Sequence, residues 1–251
     1  MTLSLRAVEG DWGGAPLSNI EAVARSAAAA FAAFDDDESV AIVLEATAHE
    51  DECPVTLSRT NSSGEFVVRL NVPGNRWARL AYQFAHEYCH VLADPTTWPG
   101  PEGRFAWIEE ALAETASLFA LCRMAKAWAV EPPYPNWRSY AASLAEYEAE
   151  CISDPTRCLP PGMSFPVWLS THLPLLEADS GRRDDNTIVA KEILPIFEAN
   201  EAAWRVVRCL HFWPWSSAES VVDFMDGWAK ASLAQGRSVV GSIAAVIGGE
   251  M

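Results

Sequence analysis

The sequence predicts an α+β protein, with a small mixed or antiparallel sheet and its helices over residues 1–94 and an all-helical C-terminal lobe over 95–251. Three observations carry this. Val40–Leu44 and Glu65–Val72 are short, β-branched runs of strand length. Two long segments, from Asn75 to about Ala93 and from about Phe105 to Val130, repeat apolar residues at helical spacing. After Pro132-Pro133 and Pro135 no run has the pattern of a strand.

Taken in order, Ser18 to Phe34 reads as a helix, with Ser18 as cap, Glu21 completing a capping box and an alanine run favouring the helical state. Asp35-Asp36-Asp37-Glu38 reads as a solvated turn, and Val40–Leu44 as a buried strand. Pro54–Ser58 and Glu65–Val72, joined by Asn61-Ser62-Ser63-Gly64, predict a β-hairpin. Pro73-Gly74-Asn75 ends that strand and opens a helix whose apolar face is Trp77, Leu80, Ala81, Phe84, Tyr88 and Val91. The prolines and glycines of 95–103 mark a loop before the second long helix. Further helices are expected near 137–152, 166–177, 185–199, 201–212, 217–234 and 238–247.

Composition narrows the function classes. Half of the 251 residues are apolar, enough for a sizeable core. A formal charge of −16 repels phosphate backbones, so nucleic acid is excluded as a partner. The N-terminal MTLSLRAVEGDWGG lacks a basic flank followed by an apolar stretch, and no apolar run reaches a membrane-spanning length, so a cytoplasmic protein without a membrane partner is expected. The six cysteines form no C-x-x-C pair and are expected as reduced thiols, with Cys151 and Cys158 close enough in sequence to bridge in an oxidising compartment.

The chemistry is carried by His86-Glu87-Tyr88-Cys89-His90, which fits H-E-x-x-H. Histidines four apart lie on one helical face, so both imidazoles reach one metal ion, and the glutamate between them stands beside a water that the metal acidifies. A catalytic zinc needs a third protein ligand. No histidine follows in a G-x-x-H context, and Cys53, in Glu-Cys-Pro-Val, does not resemble the cysteine motif of peptide deformylases. A glutamate on the following helix remains, within Trp107-Ile108-Glu109-Glu110-Ala111-Leu112-Ala113-Glu114. Glu110 has Glu114 one turn on, so one carboxylate can bind metal while the other accepts the free N–H of a metal-binding histidine. Glu109 points about 100° away, with Ala113 at the matching position.

These residues resemble the gluzincin metallopeptidases over about Phe66 to Phe119. Glu110 follows His90 by twenty positions, as in the thermolysin-like branch, and Trp107–Glu114 is similar to the W-[LI]-x-E-x-x-A-E helix of the aminopeptidase branch. Asp94, one turn past His90, matches a position that carries aspartate in thermolysin-like enzymes. The resemblance implies a compact zincin-like fold in which both parts form one catalytic unit. It implies Zn2+ held by His86, His90 and Glu110, Glu87 as general base, and Glu114 and Asp94 as supporting groups. It implies a peptide or protein substrate, with Phe66–Leu70 as the sheet edge above the cleft and an oxyanion donor from the C-terminal lobe. His172 and Tyr140 are the candidates for that donor, with His211 and Tyr134 behind them. A gluzincin-like module that binds zinc but does not catalyse is the alternative. The glutamate at 87 argues against it, because a structural metal needs no base. No sequence feature sets an oligomeric state.

Overall fold

The computed structural model describes residues 2–31, 39–49, 52–94, 103–214 and 217–248. The sheet comprises β1 (Thr2–Ala7), β2 (Ser39–Ala46), β3 (Val55–Thr56) and β4 (Phe66–Leu70), in the order β1-β2-β4-β3. β1 runs parallel to β2 and β2 parallel to β4, while β3 pairs antiparallel with β4 through Thr56 opposite Val68. The expected hairpin therefore forms. Leu57 N–H donates to Val67 O at 2.9 Å, and Gly64 N–H closes the turn on Asn61 O at 3.0 Å. One expectation about the sheet fails. Phe66–Leu70 is not the sheet edge, because β3 covers its free side and Val55–Thr56 is the edge instead.

α1 (Leu17–Ala29) links β1 to β2 and buries Ile20, Val23, Ala24 and Ala27. The expected capping box is absent, because Pro16 occupies the cap position and makes no side-chain cap. Glu21 instead accepts the backbone N–H of Ala7 at 2.9 Å, fastening the helix to the end of β1. The expected end of this helix at Phe34 and the acidic turn 35–38 lie outside the described residues, as does most of the loop 95–103.

α2 (Trp77–Ala93) and α3 (Ala106–Val130) form the centre of the molecule. Every residue of α2 except Arg79 is buried, as expected of a helix covered on all sides. α1 and the sheet lie against it, and α3 packs along it. Two buried amides bind α2 to the sheet: Gln83 Nε2 donates to Asn71 O at 3.2 Å, and Asn71 N–H donates to Gln83 Oε1 at 3.0 Å. The Gln83 side chain thus serves the end of β4 as an extra strand would.

The C-terminal half is helical: α4 (Ala141–Ser153), α5 (Phe165–Ala178), α6 (Arg183–Ala199), α7 (Val221–Ala231) and α8 (Ala234–Ile247). The segment expected as a helix at 201–212 is 3₁₀ over Glu201–Cys209, begun by Asn200, whose side chain accepts from Ala202 N–H at 3.1 Å. All six cysteines are free thiols, so Cys151 and Cys158 form no bridge. No described helix is long and apolar enough to cross a membrane.

A candidate metal centre between two buried helices

α2 supplies His86, Glu87 and His90, with the two imidazole centroids 5.1 Å apart. α3 supplies Glu109, Glu110 and Glu114 from the facing side. The 3.6-residue period turns Glu110 towards both rings. Its Oε2 lies 3.2 Å from His86 Nε2 and its Oε1 3.7 Å from His90 Nε2. One ligand atom from each of His86, His90 and Glu110 falls within 4.8 Å of the others, so this group could hold a metal ion.

Each imidazole has its own carboxylate behind it. His86 Nδ1 lies 3.4 Å from Glu114 Oε1. His90 Nδ1 donates to Glu109 Oε1 at 2.7 Å. A carboxylate at Nδ1 selects the tautomer that leaves the Nε2 lone pair facing Glu110, where a metal needs it. The supports are themselves held. Glu114 accepts from the Tyr82 hydroxyl and from Arg183 Nε, the latter at 2.9 Å. Glu109 Oε2 lies 3.0 Å from His211 Nε2, and the His211 side chain is buried. Two further contacts fix the helices. Thr56 Oγ1 on β3 donates to Glu87 O at 3.0 Å, and Ser117 Oγ on α3 donates to Tyr82 O at 3.0 Å.

The electrostatics call for a cation. Burial works to lower the pKa of His86, but the neighbouring Glu110 and Glu114 outweigh it and hold it up to about 10. Burial likewise opposes the charged form of His90, and the charge of Glu110 with the Glu109 hydrogen bond carries it up to about 9. Burial pushes Glu109 and Glu114 upward, yet their histidine partners, with Arg183 and Tyr82 at Glu114, bring both down to about 2. The carboxylates are therefore anionic. With no cation bound, protons on two buried imidazoles balance them. A divalent ion on neutral Nε2 atoms supplies the same compensation, so the donor set fits such an ion.

The centre opens into a cavity of about 360 Å³. Cys53, Pro54, Val55 and Thr56 line one side, Gly181, Arg183 and Asn186 another, and His86, Glu87, His90, Glu110 and Glu114 lie between. Glu87 is thus beside the candidate metal group and faces the same space.

His172 and Tyr140 do not line this cavity. His172 stacks on Trp168 with centroids 4.4 Å apart, and its Nδ1 lies 2.9 Å from Trp168 O. The Tyr140 hydroxyl accepts from Ala78 N–H at 3.4 Å at the start of α2. Tyr134 packs against Trp137. His211 does reach the centre, but behind Glu109 rather than in the cavity wall. Asp94 ends α2 in the left-handed region, with φ 60°. The sequence reading missed Glu109, Tyr82 and Arg183. Glu109 had a signal: a second metal-facing histidine needs its own Nδ1 partner, and an acidic residue beside Glu110 is the nearest source. Arg183 had none, lying 69 positions from its partner Glu114 in an ordinary helix start.

Comparison with protein-family models, with curated proteins and with solved structures found no match.

Proposed function

We propose that this protein is a zinc-dependent metallopeptidase of gluzincin type. The observation that carries the reading is the convergence of His86, His90 and Glu110 within 4.8 Å, beside Glu87 in an open cavity. Two neutral imidazoles and one carboxylate are the ligand chemistry of catalytic zinc, which leaves a position open. Carboxylates at both Nδ1 atoms strengthen the imidazoles as donors.

Zinc bound there supplies Lewis acidity to a water and to the scissile carbonyl. The chain supplies the remainder. Glu87 takes a proton from the water as its oxygen bonds to the carbonyl carbon. It then passes that proton to the amide nitrogen as the C–N bond breaks. Glu114 and Glu109 keep His86 and His90 in the required tautomers throughout. Arg183 and Asn186, in the cavity wall, are positioned to contact substrate.

The test is Glu87→Gln. Purified wild-type protein loaded with zinc should bind one ion and cleave a mixed peptide library. The variant should keep its zinc and lose at least about a hundredfold in rate. Undiminished cleavage by the variant would remove Glu87 as the base. Failure of wild-type protein to bind stoichiometric zinc would remove the centre.

A further inference from the structure

Among the described cavity-lining residues, Arg183 is the one arginine or lysine. Its Nε is committed to Glu114 at 2.9 Å, which orients the guanidinium plane. Its two terminal nitrogens make no hydrogen bond among the described residues, and the side chain remains 41% exposed. The nearby acids are engaged elsewhere: Asp184 accepts from Arg157 Nε at 3.0 Å, and Asp185 accepts from Arg182 Nε at 2.5 Å. A partly exposed guanidinium, oriented by Glu114, therefore lines a cavity whose acidic side chains are Glu87, Glu110 and Glu114 and whose two imidazoles are taken up when a metal is bound. An anion entering this cavity is attracted to Arg183 or to a bound metal ion.

We propose that Arg183 binds a carboxylate of the peptide close to the bond being cleaved, which makes the cleft selective for substrates carrying a free carboxylate there. This rests on the peptidase reading above. The paired terminal N–H groups match the two oxygens of a carboxylate and would contact a neutral amide with only one acceptor. The carboxylate has two sources, a free C-terminus or an Asp or Glu side chain. A cavity of about 360 Å³ admits either from a short peptide.

The experiment uses zinc-loaded full chain and matched short peptides: free acid against C-terminal amide, and Asp or Glu against Asn or Gln beside the scissile bond. Wild-type protein should favour one acid form over its neutral partner by about tenfold or more in kcat/KM, mainly through KM. Arg183→Gln should reduce that ratio towards one, and Arg183→Lys should keep part of it. The ratio is read within each variant, so a general loss of metal or stability cancels. In parallel, calorimetry on the zinc-loaded Glu87→Gln protein measures binding of both pairs, an N-acetylated dipeptide acid against its amide and an Asp-containing against an Asn-containing peptide amide, with and without Arg183→Gln. Acid binding that depends on Arg183 supports the proposal even if no peptide is cleaved, in which case the peptidase reading alone falls. Equal turnover and equal binding of the acid and neutral members of both peptide pairs, or an acid preference untouched by Arg183→Gln, overturns it.

Discussion

Glu109 and Glu114 are adjacent in purpose but differ in what else depends on them. Glu109 holds His90 at 2.7 Å and is backed by His211 at 3.0 Å. Glu114 stands at His86 and also receives Tyr82 and Arg183. Removing Glu109 as Glu109→Ala frees the His90 ring to rotate and change tautomer. Zinc affinity should fall by about 10- to 100-fold in a chelator competition, with the fold retained. Glu114→Ala should cost similar affinity and also lower stability by about 2 kcal/mol, because the buried Tyr82 hydroxyl loses its acceptor. Equal effects of both variants on stability would contradict this division. Of these residues, the sequence made His86, His90, Glu110 and Glu114 legible through helical periodicity, which places them on facing stripes, and Glu87 through the H-E-x-x-H pattern. It placed Glu109 outside the site because the 100° argument asks only whether a side chain faces the metal. A carboxylate rotated away from the metal is still correctly aimed at the far nitrogen of the second imidazole. His211 and Arg183 come from the C-terminal half, and no local pattern encodes a contact over that separation.

At the scale of elements, the site depends on where α2 begins. Gly74 precedes the helix, and its N–H donates to Trp12 O at 2.8 Å. Gly13 lies against it with φ +60°, and a Cβ there would stand 2.4 Å from Gly74 N. This close backbone contact ties the loop after β1 to the entry of the metal-binding helix. Gly13→Ala meets both a left-handed conformation and a backbone clash, so it should destabilise the fold by about 2 kcal/mol or more, read from denaturant unfolding. Gly14→Ala has φ +78° but nothing within 4 Å, so it carries the conformational cost alone and should be the milder variant. Element types were largely legible: the hairpin, both central helices and most C-terminal helices follow from period and punctuation. β1 was not read, although Leu3, Leu5 and Ala7 alternate with Thr2, Ser4 and Arg6 at the period of a half-buried strand, and it pairs with β2. The 3₁₀ segment Glu201–Cys209 was read as an ordinary helix because both helix types place apolar residues at nearly the same spacing.

The whole molecule has one core, and that core is where the metal centre sits. Phe31 after α1, Phe119 on α3, Phe197 on α6 and Trp204 in the 3₁₀ segment meet, with Trp204 4.9, 5.3 and 4.2 Å from the three rings in that order. Aromatic contacts thus join the sheet-bearing part to the helical part through α3. The consequence concerns the split near residue 94. A fragment of residues 1–94 would hold the sheet, α1, α2 and both histidines. It would also expose the face of α2 that α3 covers, including Tyr82 and the buried His86, and would lack all three α3 carboxylates. A helix buried on every side cannot lose one wall without losing much of the apolar burial that holds it. The fragment alone should therefore give no cooperative thermal transition by circular dichroism and no stoichiometric zinc binding. The full chain should melt in one step that zinc moves upward, as a ligand bound only to the native state requires. A cooperative transition in the fragment would mean that the sheet and α2 form a separate folding unit, with the metal centre assembled across a boundary rather than inside a core.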